Sequence, residues 1–131
     1  MPQDGLITLS SRYPARDTMD RLLAAIAKRN MTGFARIDHA AGAAGAGLSL
    51  RPTDLVIFGN PQGGTALMQD RQSAGIGLPL KALVWQDASG ETRLSWNDPA
   101  WLAARHGVSG EEAVAGRLAA LLEELARSAT T

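Results

Sequence analysis

The residue types with ligand-binding chemistry gather in one short stretch, an Asn-Pro pair followed by two glycines and a threonine. Asn60 suits a helix N-cap, because its side-chain oxygen accepts a hydrogen bond from a free amide of the first turn, and Pro61 suits the first helical position. A glycine in a helix costs about 1 kcal/mol, so Gly63 and Gly64 need a reason. Either they pack closely on a strand, or they give a ligand access to N–H groups at the positive helix end.

The second alternative predicts a site for a small anionic ligand. In this hypothesis Asn60 fixes the turn, the two glycines expose their amides, Thr65 offers a hydroxyl and Lys81 supplies positive charge. The stretch is neither a P-loop nor a GxGxxG motif, since no Gly-Lys-Ser/Thr follows. The predicted ligand-binding residues are His39, Asn60, Gly63, Gly64, Thr65 and Lys81.

Acid–base catalysis by His39 or Lys81 is the alternative function. His39 follows Asp38, but adjacent strand residues point to opposite faces, so the carboxylate need not orient the imidazole. Lys81 lies in an apolar strand, where its ammonium either extends to solvent or is buried with a lowered pKa. No serine-nucleophile motif such as GxSxG is present. Whether the protein is an enzyme therefore stays open, and a purely structural dimer is a third hypothesis.

Composition excludes several function classes. There is no cysteine, which rules out thiolate nucleophiles, disulfides and thiolate metal sites. The two histidines and the carboxylates lack ligand spacing such as HExxH, so we predict neither a metal nor a cofactor. Thirteen basic residues balance thirteen acidic ones, which gives no electrostatic case for nucleic acid or an anionic membrane. The N-terminal residues show no signal peptide or membrane span, so the cytoplasm is the expected location.

The elements that must position these residues alternate between strands and helices. Apolar alternation predicts strands over 5–13, 32–39, 54–60, 79–86 and 91–96, and a 3.6-residue period predicts long helices over 16–30 and 109–127. Short helices are predicted over 62–70 and 99–106. The 131 residues suit one domain with its core over about 6–126 and frayed ends at 1–4 and 128–131.

Three local features carry further expectations. Four consecutive apolar residues, Leu55 to Phe58, predict a strand that is covered on both faces. Ser109 and Glu112 form a predicted capping box for the last helix. The small residues 40–47 predict either a short helix or a tight loop in which backbones pack closely. The three tryptophans are either core residues or dimer contacts: Trp85, Trp96 and Trp101.

The chain resembles a family called domain of unknown function 302, a group of small bacterial proteins. The resemblance covers about residues 6–125 and rests on the segments Arg-Pro-Thr at 51–53, Phe-Gly-Asn-Pro at 58–61, Gly-Thr at 64–65, Leu-Met at 67–68, Leu-Pro-Leu-Lys at 78–81 and Val-Trp at 84–85. It implies an α+β fold, an antiparallel sheet of about four to six strands with two long helices on one face, similar in layout to the TATA-binding-protein half-repeat. It also implies a homodimer, and it implies no established activity. An acidic residue is common after the tryptophan in that family, whereas Gln86 stands here.

Overall fold

The computed structural model describes residues 4–131, which form five strands and five α-helices. The strands are β1 Leu6–Ser10, β2 Thr32–Asp38, β3 Thr53–Gly59, β4 Leu80–Gln86 and β5 Thr92–Asn97. The helices are α1 Ala15–Lys28, α2 His39–Gly45, α3 Pro61–Asp70, α4 Pro99–Arg105 and α5 Glu112–Thr130, with a short 3-10 helix over Gln72–Gly77.

All five strands belong to one antiparallel sheet in the order β1-β5-β4-β3-β2. The hairpin between β4 and β5 turns at residues 87–90, where Gly90 has a φ of +90°, as the sequence predicts for its left-handed position. Strand β1 pairs with β5 from Leu6 opposite Asn97 to Ser10 opposite Arg93. This arrangement confirms the predicted α+β fold with an antiparallel sheet.

One face of the sheet carries the core, because α1 and α5 cover it. Alternate strand residues such as Phe58, Val84 and Leu94 are at most 1% exposed there, and they pack against Met19 and Leu122 of the two long helices. Because side chains alternate between faces along a strand, the buried set follows the predicted period of two. The prediction of two long helices on one face is therefore confirmed.

The other face of the sheet, which we call the open face, lies outside the core. Leu55, Ile57, Leu83 and Trp85 are half-buried and contribute nothing to the core cluster or to the side chains packed against it. Ile37 on β2 faces the same way, since it pairs with Leu55, and is 41% exposed. The prediction that residues 54–60 are covered on both faces is wrong for a single copy of the chain, because helices cover only one face.

Helix α2 and the segment after it project from the end of the sheet. None of the residues of α2 is buried, and a Cβ added at Gly42 or Gly45 would meet no atom within 4 Å. Leu48 and Leu50 beyond it are 68% and 50% exposed. Of the two alternatives for residues 40–47, the short helix is the one that forms, and Gly42 and Gly45 make no close backbone contact.

Helix α5 differs from the prediction at both ends. It begins at Glu112 after Glu111, so Ser109 is no N-cap: its amide donates to Asp70 Oδ2 at 2.6 Å, and Gly110 N–H donates to Glu112 Oε1. At the other end the helix continues to Thr130 rather than fraying at 128. Ala129 and Thr130 are at most 1% exposed, because the Thr130 carbonyl accepts from the Arg12 amide and anchors the last turn to β1. The expected fraying of residues 1–3 lies outside the described residues.

Residues 4–131 contain neither a membrane-spanning helix nor a cluster of metal ligands. None of the helices formed there has the length and apolar character needed to cross a membrane. In the same range, no three histidine or carboxylate side chains converge on a point where a metal ion could sit.

Candidate functional site

A cavity of about 230 Å³ lies where β2, β3 and β4 meet helices α3 and α5. Its wall is mainly apolar, with polar groups contributed by one amide side chain and one hydroxyl. The lining residues are Phe34, Gly59, Asn60, Pro61, Gly64, Thr65, Met68, Gly75, Leu78, Pro79, Leu80 and Leu118. Three of the six predicted ligand-binding residues therefore share one cavity: Asn60, Gly64 and Thr65.

The Asn-Pro pair builds the start of α3 as the sequence predicts. Asn60 Oδ1 accepts a hydrogen bond from the Gln62 amide at 2.9 Å, and Pro61 takes the first helical position. Proline has no N–H, the Gln62 amide is capped, and the fourth helical amide reaches the N-cap carbonyl by ordinary helix pairing. Gly63 N–H is thus the single amide of this turn left for a ligand.

Close packing explains one of the two glycines. A Cβ on Gly63 would lie 3.3 Å from Leu118 Cδ2 of α5, which is tighter than an ordinary contact, so helix α3 approaches α5 closely there. A Cβ on Gly64 would lie 3.6 Å from Leu78 Cδ1, an ordinary van der Waals contact. Of the two reasons that the sequence allows, close packing therefore holds for Gly63, although its partner is a helix and not a strand, whereas Gly64 lines the cavity.

Thr65 supplies a polar group at the cavity wall. Its hydroxyl forms no hydrogen bond with residues 4–131, and the residue is exposed at the cavity mouth. A free hydroxyl beside apolar side chains can orient a ligand by a single hydrogen bond, as in many small-molecule sites.

Lys81 lies beside the cavity wall and does not line it. Its Nζ donates to the carbonyl oxygen of Pro79 at 3.0 Å, and Pro79 is a wall residue. Burial of the side chain lowers the pKa of the Lys81 ammonium. Since Lys81 pairs with Ile57, its stem lies on the open face. Both alternatives from the sequence analysis therefore hold in part: the aliphatic stem of Lys81 is half-buried, and its ammonium extends to the end of β4.

His39 lies at the opposite end of the sheet from Asn60. It is the exposed first residue of α2, and Asp38 Oδ1 beside it caps this helix by accepting from the Ala41 amide at 2.9 Å. Asp38 pairs with Asp54 at one end of β3, while Asn60 follows the other end. Six residues of strand at about 3.3 Å each separate the two sites by roughly 20 Å. A single small ligand therefore cannot contact both His39 and Asn60.

Several other polar side chains form local contacts. His106 is the C-cap of α4; its Nδ1 lies 2.9 Å from Ser73 Oγ, and its Nε2 is buried without a partner in residues 4–131. Arg51 Nε donates to the Gln86 carbonyl at 3.2 Å. Among the tryptophans, Trp96 is a core residue, whereas Trp85 lies on the open face with its Nε1 donating to Ser95 Oγ.

A larger and more polar cleft of about 1060 Å³ lies at the other end of the sheet. It runs between the start of α1 and the ends of β2 and β3, and its charges are mixed. Arg36 is held there by Asp54, with Nη2 and Oδ2 at 2.6 Å. The charged residues that line the cleft are Arg12, Arg16, Asp20, Arg36, Asp38, Asp54 and Glu91. The acidic and basic groups nearly cancel, so the cleft has no clear preference for one sign of ligand.

Sequence reasoning missed the apolar half of the smaller cavity. Phe34, Met68, Leu78 and Leu118 come from four separate parts of the chain, and no spacing along the sequence relates them. One local signal exists: Phe34 occupies an irregularity in the pairing of β2, between Gly33 and Ala35, which turns its ring toward the cavity.

Comparison with known proteins gives one family and a small number of relatives. The family described as domain of unknown function DUF302 matches residues 7–125. A crystal structure of an uncharacterised conserved DUF302 protein from Bacillus stearothermophilus superposes with a TM-score of 0.85 over 95% of this chain and 98% of that chain, at 17% identity. This likeness supports the fold.

Curated relatives include a Fluoride-specific ion channel FluC 1 of Brucella suis biovar 1 (strain 1330), 51% identical over 112 residues. The match covers 84% of this chain and 44% of the relative. The FluC 1 protein of Brucella abortus biovar 1 (strain 9-941) matches with the same identity over 42% of its length. The chain thus spans less than half the length of the curated relatives it matches.

Proposed function

The chain belongs to the DUF302 family, and from that premise we propose that it is a homodimeric, non-catalytic module that binds a small ligand in the cavity between α3 and α5. We expect this module in the cytoplasm, without nucleic acid or membrane as partner. The observation that carries the proposal is the shared cavity of Asn60, Gly64 and Thr65.

The lining indicates the kind of ligand. Methionine, leucine, proline and phenylalanine side chains form most of the wall, so the ligand has an apolar body. Thr65 Oγ1 offers a hydrogen bond at the cavity mouth. The anionic group expected from the sequence would need Lys81, whose ammonium lies 3.0 Å from the wall residue Pro79. A short-chain carboxylate combines these features.

Native mass spectrometry of freshly purified protein tests the proposal, and two glycine variants sharpen the result. Gly64→Leu places a side chain in the cavity, whereas Gly116→Leu in α5 is the matched control, since a Cβ at Gly116 meets nothing within 4 Å. We expect a small-molecule mass increment, or a bound carboxylate from an added series of chain lengths, on the wild type and on Gly116→Leu. Gly64→Leu should lose it. Equal retention by both variants would contradict the cavity as the site.

The acid–base enzyme remains the alternative for this chain. His39 is exposed and its carboxylate neighbour is engaged as a helix cap, so support rests on Lys81, whose pKa is lowered by burial. A lysine amine of this kind forms a Schiff base with a carbonyl compound. Trapping with borohydride and an aldehyde or ketone series would label Lys81 selectively if this alternative holds.

The Brucella relatives favour a second candidate, an accessory role beside a fluoride channel. The 51% identity over 112 residues is to proteins named Fluoride-specific ion channel FluC 1. In this candidate the module responds to fluoride, and Gly63 N–H, the amide of the first turn of α3 without a cap partner, is the donor that would bind it. Amide NMR spectra with added sodium fluoride, against sodium chloride as control, would shift Gly63 and Gly64 selectively. Identical spectra in the two salts would exclude fluoride binding by this domain.

A further inference from the structure

The side chain of Met68 lies between two glycines in the wall of the smaller cavity. All three residues line that cavity, Met68 and Gly64 from α3 and Gly75 from the 3-10 helix. A Cβ added at Gly75 would lie 3.0 Å from Met68 Sδ, and a Cβ added at Gly64 would lie 4.0 Å from Met68 Cε. The thioether therefore occupies the space between two positions that have no side chains of their own.

Helix geometry explains why the end of this side chain reaches Gly64. Residues 64 and 68 are four apart, so they share one face of α3, and a helical side chain leans toward the N-terminus of its helix. The terminal methyl of Met68 thus lies over the turn that contains Gly64. It is directed along the cavity wall and not away from it.

Gly75 belongs to a segment that is held in place on its other side. Ala74 before it is fully buried, and a Cβ at Gly77 after it would overlap the side chain of Leu102 in α4. The 3.0 Å between Met68 Sδ and a Cβ at position 75 is shorter than the roughly 3.5–4.0 Å of an optimal contact. A methyl group at position 75 must therefore displace the thioether, because the backbone cannot retreat.

Met68 is the adaptable part of the cavity wall. Methionine is unbranched, and its flexible thioether fills irregular spaces. The other side chains of the wall are branched, aromatic or cyclic, and Asn60 is fixed by its hydrogen bond to the Gln62 amide. The position of Met68 thus decides how much of the cavity is open to a ligand.

The size of the cavity gives the size of the ligand. About 230 Å³ holds roughly eight groups of the size of a water molecule, at about 30 Å³ each. A linear carboxylate of about six to eight carbons has this size when its carboxylate lies at the mouth. Because methionine extends about three heavy atoms beyond its Cβ, removing them would make room for about three more carbons.

We propose that Met68 is the specificity-determining side chain of this cavity and limits the apolar chain of the ligand to about six to eight carbons. This inference rests on the small-ligand function proposed above and names the residue that selects among such ligands. Gly64 and Gly75 leave the space in which the thioether lies.

Native mass spectrometry with competing ligands tests this assignment. The probe is an equimolar mixture of linear saturated carboxylates of about four to twelve carbons, added to the full chain. For the wild type we expect affinity to rise about fourfold per carbon up to about six to eight carbons and no further. Met68→Ala should extend this rise by about three carbons. Gln69→Ala is the matched control, since Gln69 is the exposed neighbour on α3 outside the wall, and it should keep the wild-type optimum.

Gly75→Ala tests the same assignment from the opposite direction. Its methyl group pushes Met68 toward Gly64 and into the cavity, so the longest carboxylate that the wild type accepts should bind at least about fourfold more weakly, the equivalent of one methylene. Gly116→Ala is the control, because a Cβ at Gly116 meets nothing within 4 Å. Gly75→Ala decides the outcome if Met68→Ala fails to fold by circular dichroism.

Methyl NMR adds a readout at the atom concerned. The Cε methyl resonance of Met68 should shift when the preferred carboxylate is added, whereas that of Met19, fully buried in the core, should not. If no member of the series binds the wild type, the carboxylate ligand and this inference are both overturned. If carboxylates bind but Met68→Ala and Gly75→Ala leave the preferred chain length unchanged, or the Met68 methyl does not shift, this inference alone is overturned.

Discussion

At the scale of single residues, side-chain geometry decides between alternatives that composition leaves open. Asn60 and Pro61 have the roles that their types predict, because capping depends on the nearest two amides only. The sequence allows two explanations for the glycines, and the tight contact with Leu118, from a distant part of the chain, favours close packing at Gly63. Residue type alone groups His39 with Asn60, whereas strand geometry separates them by the length of β3.

The cap at Asn60 gives a first stability prediction. Asn60→Ala removes the acceptor of the Gln62 amide, and we expect the free energy of unfolding to fall by about 1 kcal/mol. Urea denaturation followed by tryptophan fluorescence measures it. Gln62→Ala, an exposed neighbour in the same turn, should change stability by less than about 0.5 kcal/mol. Equal losses in both variants would mean that the cap contributes nothing specific.

The hairpin carboxylate gives a pH prediction. Hydrogen bonds from the Ser89 hydroxyl, then from Arg93 and the backbone amides of Glu91 and Ser89, lower the pKa of Asp87 from 3.8 to about 2. A lowered folded pKa stabilises the fold above the unfolded value, so this contribution is present above pH 4 and is lost as the pH falls toward 2.

Melting temperature against pH, for the wild type and Asp87→Asn, measures this contribution. The wild type should lose more stability than the variant between pH 4 and 2, and carboxyl NMR should show Asp87 titrating near pH 2. Parallel melting curves over that range would contradict the assignment.

At the scale of elements, the sequence predicts the strands and helices whose positions follow from apolar periodicity. It fails at helix ends that are fixed by residues far away in the chain. All five strands and the helices α1, α3, α4 and α5 lie within a few residues of their predicted positions. The last helix starts later than predicted because Asp70, from α3, takes the Ser109 amide that the capping box would have used. It ends later because Tyr13 and Arg21 bind its last carbonyls at 2.9 and 3.3 Å. No local signal near residues 109–131 contains these partners.

The ordered end of α5 gives a prediction at this scale. Ala129→Asp buries a carboxylate at a site that is fully buried, and should cost about 3 kcal/mol or more in the free energy of unfolding. Ser128→Asp, one residue earlier on the exposed side, should stay within about 0.5 kcal/mol of the wild type. Similar stabilities of the two variants, by chemical denaturation, would show that the helix end frays after all.

At the scale of the whole molecule, the sheet separates two different surfaces. Helices α1 and α5 and the smaller cavity lie on one side, and the open face lies on the other. The sequence predicts the fold class well, because strand alternation and the helical period indicate which residues face the core. They do not indicate how many layers of helix pack against the sheet in one copy of the chain. That helices cover only one face of β3 could therefore not be predicted.

The proposed homodimer predicts that stability depends on protein concentration. The melting temperature of the wild type should rise as protein concentration increases, since association stabilises the folded state by mass action. Differential scanning calorimetry over a hundredfold concentration range measures this dependence, and a melting temperature independent of concentration would exclude the dimer.

The pairing of the first strand with the last has a consequence for how the protein is made. Leu6 of β1 pairs with Asn97 of β5, and within residues 4–131 β1 has no other strand as neighbour. Its partner is translated about ninety residues later, which at about 5–20 residues per second is a delay of roughly 5–18 s. Throughout that interval the nascent chain carries β1 without its strand partner and α1 without its contacts to α5. A chaperone that recognises apolar segments on the ribosome is therefore expected to bind β1 and α1 during synthesis.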